Sequence, residues 1–169
     1  NLPGPTIKNQ GEPTRKTVYP IRDQNGNLIA NHIRSDYADG SKDFYWECDG
    51  MPGLGGMPVA DLPLDGIHEL PEDATEVTIA EGSKAKNALK AHSVPALGTV
   101  TGARSTPSEN TLRPITNLTV RLWPDNDDEG RDHMQRIAQR LIGLGCKDIR
   151  TIEWPEAPMK GDAADFQGT

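Results

Sequence analysis

Residues 117–130 read NLTVRLWPDNDDEG, and the order of residue types in this stretch decides the fold. Leu118, Val120 and Leu122 alternate with Thr119 and Arg121, and Trp123 extends the apolar end. Alternation of this kind, with β-branched residues in it, predicts a strand. Pro124 has no N–H to give to a ladder and stops it. Asp125, Asn126, Asp127, Asp128 and Glu129 follow at once. Beyond them Met134, Ile137, Ala138, Leu141 and Ile142 recur at the i, i+3, i+4, i+7, i+8 spacing of a helix with one apolar stripe. The order is strand, acidic turn, helix. In an open α/β sheet, ligands collect at the carboxyl ends of the strands. Helix capping accounts for one or two of these acids. The rest repel one another unless solvent or a cation screens them. The turn therefore reads as a cap, a solvated loop or a holder of a divalent cation.

Working outward, the same unit recurs on both sides. Glu76 to Ala80 is a short strand with Val77 and Ile79 toward one side, and Glu81-Gly82 follows it directly. Ser83 to His92 reads as a helix that buries Ala85, Ala88 and Leu89, with Ser83 as N-cap and Lys84, Lys86 and Lys90 on the solvent side. Val94 to Leu97 is a further strand. Gly98 to Arg113 is a polar loop, long enough to suggest a functional role. After the acidic helix, with Gly145 as its left-handed cap, residues 147–154 contain a strand centred on Ile149 and Ile152. Pro155 to Pro158 breaks it, and residues 160–166, KGDAADF, form a polar turn that opens another helix. Three acidic sites line up: Glu81, then Asp125 with Asp127, then Asp162 with Asp165. Parallel strands put all three on one edge of the sheet, and a hard divalent cation takes oxygen ligands of this sort.

The N-terminal half has another character. Thr17–Ile21 and Leu28–Ile33 flank Asn25-Gly26, the strongest hairpin dipeptide, and Lys42–Cys48 is a third strand carrying Phe44, Tyr45 and Trp46. The expectation is a small antiparallel meander whose aromatics cover its own core or its contact with the main domain; a base-stacking surface is the alternative. Residues 49–62 contain MPGLGGMP, which lacks the Lys-Ser/Thr ending of a phosphate loop and reads as a connector. Residues 64–70 include one helical turn. Residues 1–16 are an arm that only Leu2 and Ile7 could anchor. The division is 1–16 arm, 17–70 antiparallel β subdomain with connector, and 71–169 main α/β domain.

Composition narrows the classes. The chain has 169 residues, is 34% hydrophobic and carries a net charge of -7 with a pI near 5.0, which argues against indiscriminate binding to nucleic acid. Residues 1–75 hold six Lys or Arg against twelve Asp or Glu, whereas residues 76–169 hold twelve against thirteen. A phosphate backbone would meet the second half more readily. Cys48 and Cys146 match no zinc or redox spacing, and His32, His68, His92 and His133 are scattered, so no structural zinc is expected. Free thiols and the absence of any long apolar run suit a cytoplasmic protein with no membrane partner. The chain starts at Asn without Met, as an excised fragment would.

Residues 76–166 resemble a Toprim domain, the catalytic module of bacterial-type primases, of type IA and II topoisomerases and of some nucleases. Glu81-Gly82 resembles that family's Glu-Gly at a strand end, although Ser83 stands where relatives often carry an acid or a tyrosine. Residues 125–130, DNDDEG, resemble its Asp-x-Asp motif, and residues 160–166 resemble its late Lys-Gly-x-Asp segment. The hairpins before them resemble the region that precedes the Toprim domain in phage and plasmid primases, where it follows a zinc ribbon.

The resemblance implies a Toprim-like Rossmannoid fold: a mostly parallel four-stranded sheet flanked by helices, preceded by the meander. It implies a DNA primase fragment that makes RNA primers on single-stranded DNA from nucleoside triphosphates. Glu81, Asp125 and Asp127 would be catalytic: Mg²⁺ or Mn²⁺ would be held by Asp125 and Asp127 with Asp162, Glu81 would be a further ligand or a general base, and Asp165 would be a secondary acid. Lys84, Lys86, Arg104 and Lys160 would contact phosphate or template. A replicative helicase and an upstream zinc-ribbon module would be partners in the parent chain, in a prokaryotic or phage-infected cell. The alternatives are a scaffold module that binds nucleotide or metal without turnover, and a nuclease of the same fold.

Overall fold

Val120 and Leu122 are fully buried in the computed structural model, which describes residues 11–166. The expected arm falls largely on residues 1–10, with Leu2 and Ile7, and these lie outside the described residues. The first sheet is antiparallel in the order β1 (Arg15–Arg22), β2 (Leu28–Asp36), β3 (Lys42–Cys48) and β4 (Met51–Pro52). Asp23 closes the first hairpin by accepting hydrogen bonds from the backbone N–H groups of Asn25 and Asn27, and Gly26 supplies the left-handed φ of 83°. The meander is thus as expected, with longer first and second strands and β4 in addition.

The second sheet is parallel. It contains β5 (Glu76–Glu81), β6 (Ala96–Thr99), β7 (Thr119–Trp123) and β8 (Asp148–Thr151) in the order β6-β5-β7-β8. Helix α1 (Gly82–Ala91) joins β5 to β6, and the chain then returns past β5, through a short α2 (Glu109–Leu112), to place β7 on its other side. Helix α3 (Asp128–Gly143) joins β7 to β8. Val77, Ile79, Val120 and Leu122 face α3, where Met134, Ile137 and Leu141 complete the larger core. Ala80, on the opposite side, packs with Ala85 and Leu89 of α1, Ala96 and Ala163, with Trp123 alongside. Both faces are covered, as a parallel sheet requires. This is the Toprim-like arrangement of a parallel sheet flanked by helices, behind an antiparallel meander.

Several local expectations are overturned. Lys86 is not on the solvent side: its side chain is 7% exposed and its ammonium lies 2.9 Å from the carboxylate of Asp65. Asp65 sits in the connector and exchanges two backbone hydrogen bonds with Gly98, which extends the parallel sheet by one antiparallel bridge. A partner 21 residues upstream is invisible to helical periodicity. Ser83 is not the N-cap of α1; Glu81 holds that position and no side chain caps the helix. Ile142 is 64% exposed, because it lies about 80° round the helix from Met134, past the edge of the buried stripe. The polar loop after β6 contains α2, capped by Ser108, and a 3-10 turn at Arg113–Ile115. Residues 160–166 form turns and no helix.

Candidate active site

In a parallel sheet, the crevice forms where two neighbouring strands send their connections in opposite directions. Here those strands are β5 and β7. Ala80 and Trp123 are in register, so Glu81 and Asp125 leave the sheet side by side. Their closeness can be read at Gly130, in the first turn of α3. A Cβ built there would lie 2.7 Å from Asp125 O and 2.8 Å from Glu81 Oε1. Only glycine lets the helix start this near both groups.

The electrostatics match that geometry. Burial, then repulsion from Asp125, Asp127 and Glu129, pushes the Glu81 carboxyl up to about 7, although the Asp125 backbone N–H pulls the other way. Glu81 Oε1 is buried without a hydrogen-bond partner. Burial, then Asp162 and Asp127, pushes Asp125 up to about 6, against the pull of Lys84. Crowded, part-buried carboxyls with an orphaned oxygen are a donor set short of positive charge. Asp127 has a structural task as well. Its Oδ1 accepts the Gly130 N–H at 2.8 Å and caps α3. Asp128 is almost fully exposed and pairs with Arg131.

The third acidic segment is fastened to the second. Asn126 exchanges backbone hydrogen bonds with residues 160–161, and its side-chain amide donates to the carbonyls of Ala157 and Pro158. Asp162 thereby reaches the cleft, where it accepts from Lys84 Nζ at 2.9 Å. Asp165 accepts the Asp162 N–H at 3.0 Å and closes the turn that carries it. The pinning role of Asn126 escaped sequence reading; its position between two aspartates was the only signal.

The structure brings Glu81, Asp125 and Asp162 into one cavity of about 330 Å³, together with Lys84. Lys86 is held by Asp65 outside it, and Lys160 is exposed at the turn beside Asn126. Arg104, two residues beyond the cavity-lining Gly102, lies 3.9 Å from Glu129 with its side chain 95% exposed. The opposite wall is the meander: Tyr19, His32, Arg34, Lys42 and Phe44 line the same cavity. Tyr19 pairs with His32, His32 with Trp46, and Arg34 with Phe44 across the strands. His32 stacks on Trp46 at 4.2 Å between ring centroids, and Arg34 lies 5.9 Å from the centroid of Phe44. Phe44 is 49% exposed and Tyr45 39%, so these two do not cover the meander's own core, one of the two roles expected of them, and Phe44 lines the cavity shared with the main domain.

Among the described residues, no three His, Cys, Asp or Glu side chains converge tightly enough to form a metal cage. Mg²⁺ does not require one, since it usually takes one or two protein carboxylates and completes its shell with water and substrate phosphates. Asp125, with the unsatisfied oxygen of Glu81 beside it, fits that mode.

No protein-family model matches the chain, and no curated protein matches it. Solved structures do. The primase fragment of the bacteriophage T7 primase-helicase protein is similar over 89% of this chain and 56% of its own, with 21% identity and a TM-score of 0.62. A DNA primase domain from Pseudomonas aeruginosa is similar over 86% and 45%, with 20% identity and a TM-score of 0.62. The Aquifex aeolicus primase, with its zinc-binding and RNA polymerase domains, is similar over 87% and 36%, with 18% identity and a TM-score of 0.65. The class defined by fold and comparison is therefore the Toprim-like α/β fold. Within it, the chain shares the fold of phage and bacterial DNA primases and spans about a third to just over half the length of these three.

Proposed function

We propose that this chain is the nucleotidyl-transfer portion of a DNA primase, which joins nucleoside triphosphates into RNA on a single-stranded DNA template. One observation carries the reading: carboxylates from β5, β7 and the 160–166 turn meet at the sheet's switch point, short of positive charge, opposite a wall of aromatic and basic side chains. Asp125 and Asp127 would hold Mg²⁺ or Mn²⁺, with Glu81 and Asp162 as further ligands or outer-shell acceptors. Such a cation, when bound, neutralises phosphate charge and lowers the pKa of an attacking 3′-hydroxyl.

The chain's own residues supply the frame. Lys84 offsets Asp162, so the pocket is less negative on that side. Gly130 admits the Glu81 carboxylate beside the start of α3. On the facing wall, Phe44, His32 and Tyr19 offer ring surfaces for bases, and Arg34 and Lys42 offer charge for a backbone. That placement supports the base-stacking alternative for the meander. A zinc-ribbon module and a replicative helicase are the partners this reading implies, in a cytoplasmic setting. No helix among the described residues is long and apolar enough to cross a membrane.

Mn²⁺ binding by calorimetry tests the site, comparing the parent with a variant carrying Asp125→Ala and Asp127→Ala. Binding is expected to be lost in the variant, and unchanged binding dismisses the metal site. Primer synthesis on single-stranded DNA with labelled nucleotides then tests the reaction. Metal binding without product, even with an upstream zinc-ribbon module added, favours a scaffold that binds without turnover. The acidic balance of residues 1–75 gives that second reading its support.

A further inference from the structure

The segment that follows β6 is held from behind. His133 Nε2 lies 3.3 Å from the Thr99 hydroxyl at its start. The Arg136 guanidinium donates to the Ala103 carbonyl and, at 3.1 Å, to the Thr106 hydroxyl. Arg140 donates to the carbonyls of Thr106 and Pro107 at 3.1 and 2.5 Å. Positions 133, 136 and 140 follow the i, i+3, i+7 spacing, so one stripe of α3 grips the whole segment. Between the grips, Thr99, Val100 and Gly102 line the acidic cleft. Arg104 follows Ala103 directly. The planar trans peptide that points the Ala103 carbonyl at α3 turns the Arg104 N–H away from the helix.

The cations near the cleft are unequally committed. Lys84 is hydrogen-bonded to Asp162, and Lys86 is buried against Asp65. On the facing wall Arg34 is paired with Asp36, and Lys42 comes from the meander. Among the described residues, the acid that Arg104 approaches is Glu129, at 3.9 Å, beyond hydrogen-bond range, and both side chains are exposed. A polyanion entering a cleft of carboxylates needs a cation those carboxylates have not already taken, and the guanidinium fork matches phosphate oxygens. A loop already fixed by its carbonyls loses less freedom when that contact forms.

We propose that residues 100–107 are a preset phosphate-binding arm. Arg104 meets the polyphosphate of a nucleoside triphosphate at the acidic cleft, and Arg136 and Arg140 are positioning residues that act through Arg104. The inference rests on the nucleotidyl-transfer reading and adds to it a division of labour on α3.

The test is calorimetric binding of ATP and AMP in the presence of Mn²⁺, and of Mn²⁺ alone. The proteins are the parent chain, Arg104→Ala, Arg136→Gln and the double variant, with Arg140→Gln as a second probe of the grip should Arg136→Gln lower the melting temperature. Arg104→Ala is expected to weaken ATP about tenfold, the scale of one hydrogen bond to a charged group, and to leave AMP within about twofold. Arg136→Gln should weaken ATP roughly fivefold in the parent and add nothing when Arg104 is already absent, because the two act as one unit. Mn²⁺ alone should bind all four proteins alike. Equal losses from Arg136→Gln with and without Arg104, or no loss of ATP affinity, overturn the proposal. A parent that binds Mn²⁺ but not ATP also overturns it, whereas a parent that binds neither removes the functional reading on which it stands.

Discussion

Gly130 shows how one residue type can be dictated by two others. In the first turn of a helix, alanine would ordinarily be favoured over glycine by about 1 kcal/mol. Here the added methyl would meet the Asp125 backbone and Glu81 Oε1 at under 3 Å, and neither backbone contact can be relieved by a rotamer change. Overpacking of this kind costs about 1–3 kcal/mol, so the clash outweighs the propensity. Gly130→Ala is therefore expected to lower stability in urea unfolding and to weaken Mn²⁺ binding. Gly143→Ala, in the last turn of the same helix with open space around it, should be neutral or mildly stabilising. Equal behaviour of the two variants would contradict the packing argument. Lys86 is the second case. With both partners almost fully buried, Lys86→Met would strand the Asp65 charge and is expected to cost about 3–5 kcal/mol. Pairing it with Asp65→Leu should recover most of that loss. A double variant as unstable as the single one would show that the charges matter beyond their mutual compensation. The sequence displayed Glu81 and Asp125 because each falls where a local apolar pattern ends, and Asp162 because residues 160–166 resemble the family's late motif. It hid Lys86, since the residue that buries it comes from the connector, and it hid the cleft-facing roles of Tyr19, His32 and Arg34, which strand pairing and the facing sheet create.

At the scale of elements, β5, β7 and α3 were readable because each satisfies its own periodicity within a few residues. The α3 start was ambiguous for a physical reason: an aspartate before a helix caps it whether or not it also binds a cation. The structure gives Asp127 the cap, with Oδ1 on the Gly130 N–H. The two roles separate chemically. Asparagine caps about as well as aspartate, whereas alanine loses about 1 kcal/mol. On the proposed metal reading, Asp127→Asn is thus expected to melt with the parent, yet to bind Mn²⁺ more weakly. Asp127→Ala should lose about 1 kcal/mol of stability in addition. If Asp127→Asn binds Mn²⁺ as well as the parent, Asp127 is a cap alone and the metal rests on Asp125 and Glu81. In sequence the segment after β6 is one polar loop, because its order comes from α3: Arg136 and Arg140 reach its carbonyls across more than thirty residues. Their position off the apolar stripe was plain in the sequence, but which partners they meet there is set by tertiary packing.

Over the whole molecule, the cleft and the helix behind it pull stability in opposite directions as pH changes. His133 is fully buried and neutral, its pKa lowered to about 4 by burial and then by Arg136, against an ordinary value near 6.5. The stability from keeping it neutral is complete above pH 6.5 and is lost as pH falls toward 4. Glu81 and Asp125 are raised to about 7 and about 6, from 4.5 and 3.8. Between their unfolded and folded values the native state holds protons that the unfolded chain has released, so rising pH destabilises it. His32 and His68 are lowered as well, chiefly by burial, and act with His133, so the two cleft carboxyls show their effect in the difference between parent and variant rather than in the parent's slope. With a chelator present, the melting temperature of Glu81→Gln is therefore expected to gain on the parent's as pH rises from about 5 to about 7.5. That variant should be the more stable of the two at the alkaline end, because an amide releases no charge into the cleft. Saturating Mn²⁺ should lift the parent most at the alkaline end, where both carboxyls are ionised, and little near pH 5. A gap between Glu81→Gln and the parent that does not change with pH in chelator, or a Mn²⁺ shift independent of pH, would mean that Glu81 and Asp125 are not charge-crowded, and the metal reading would lose its electrostatic basis.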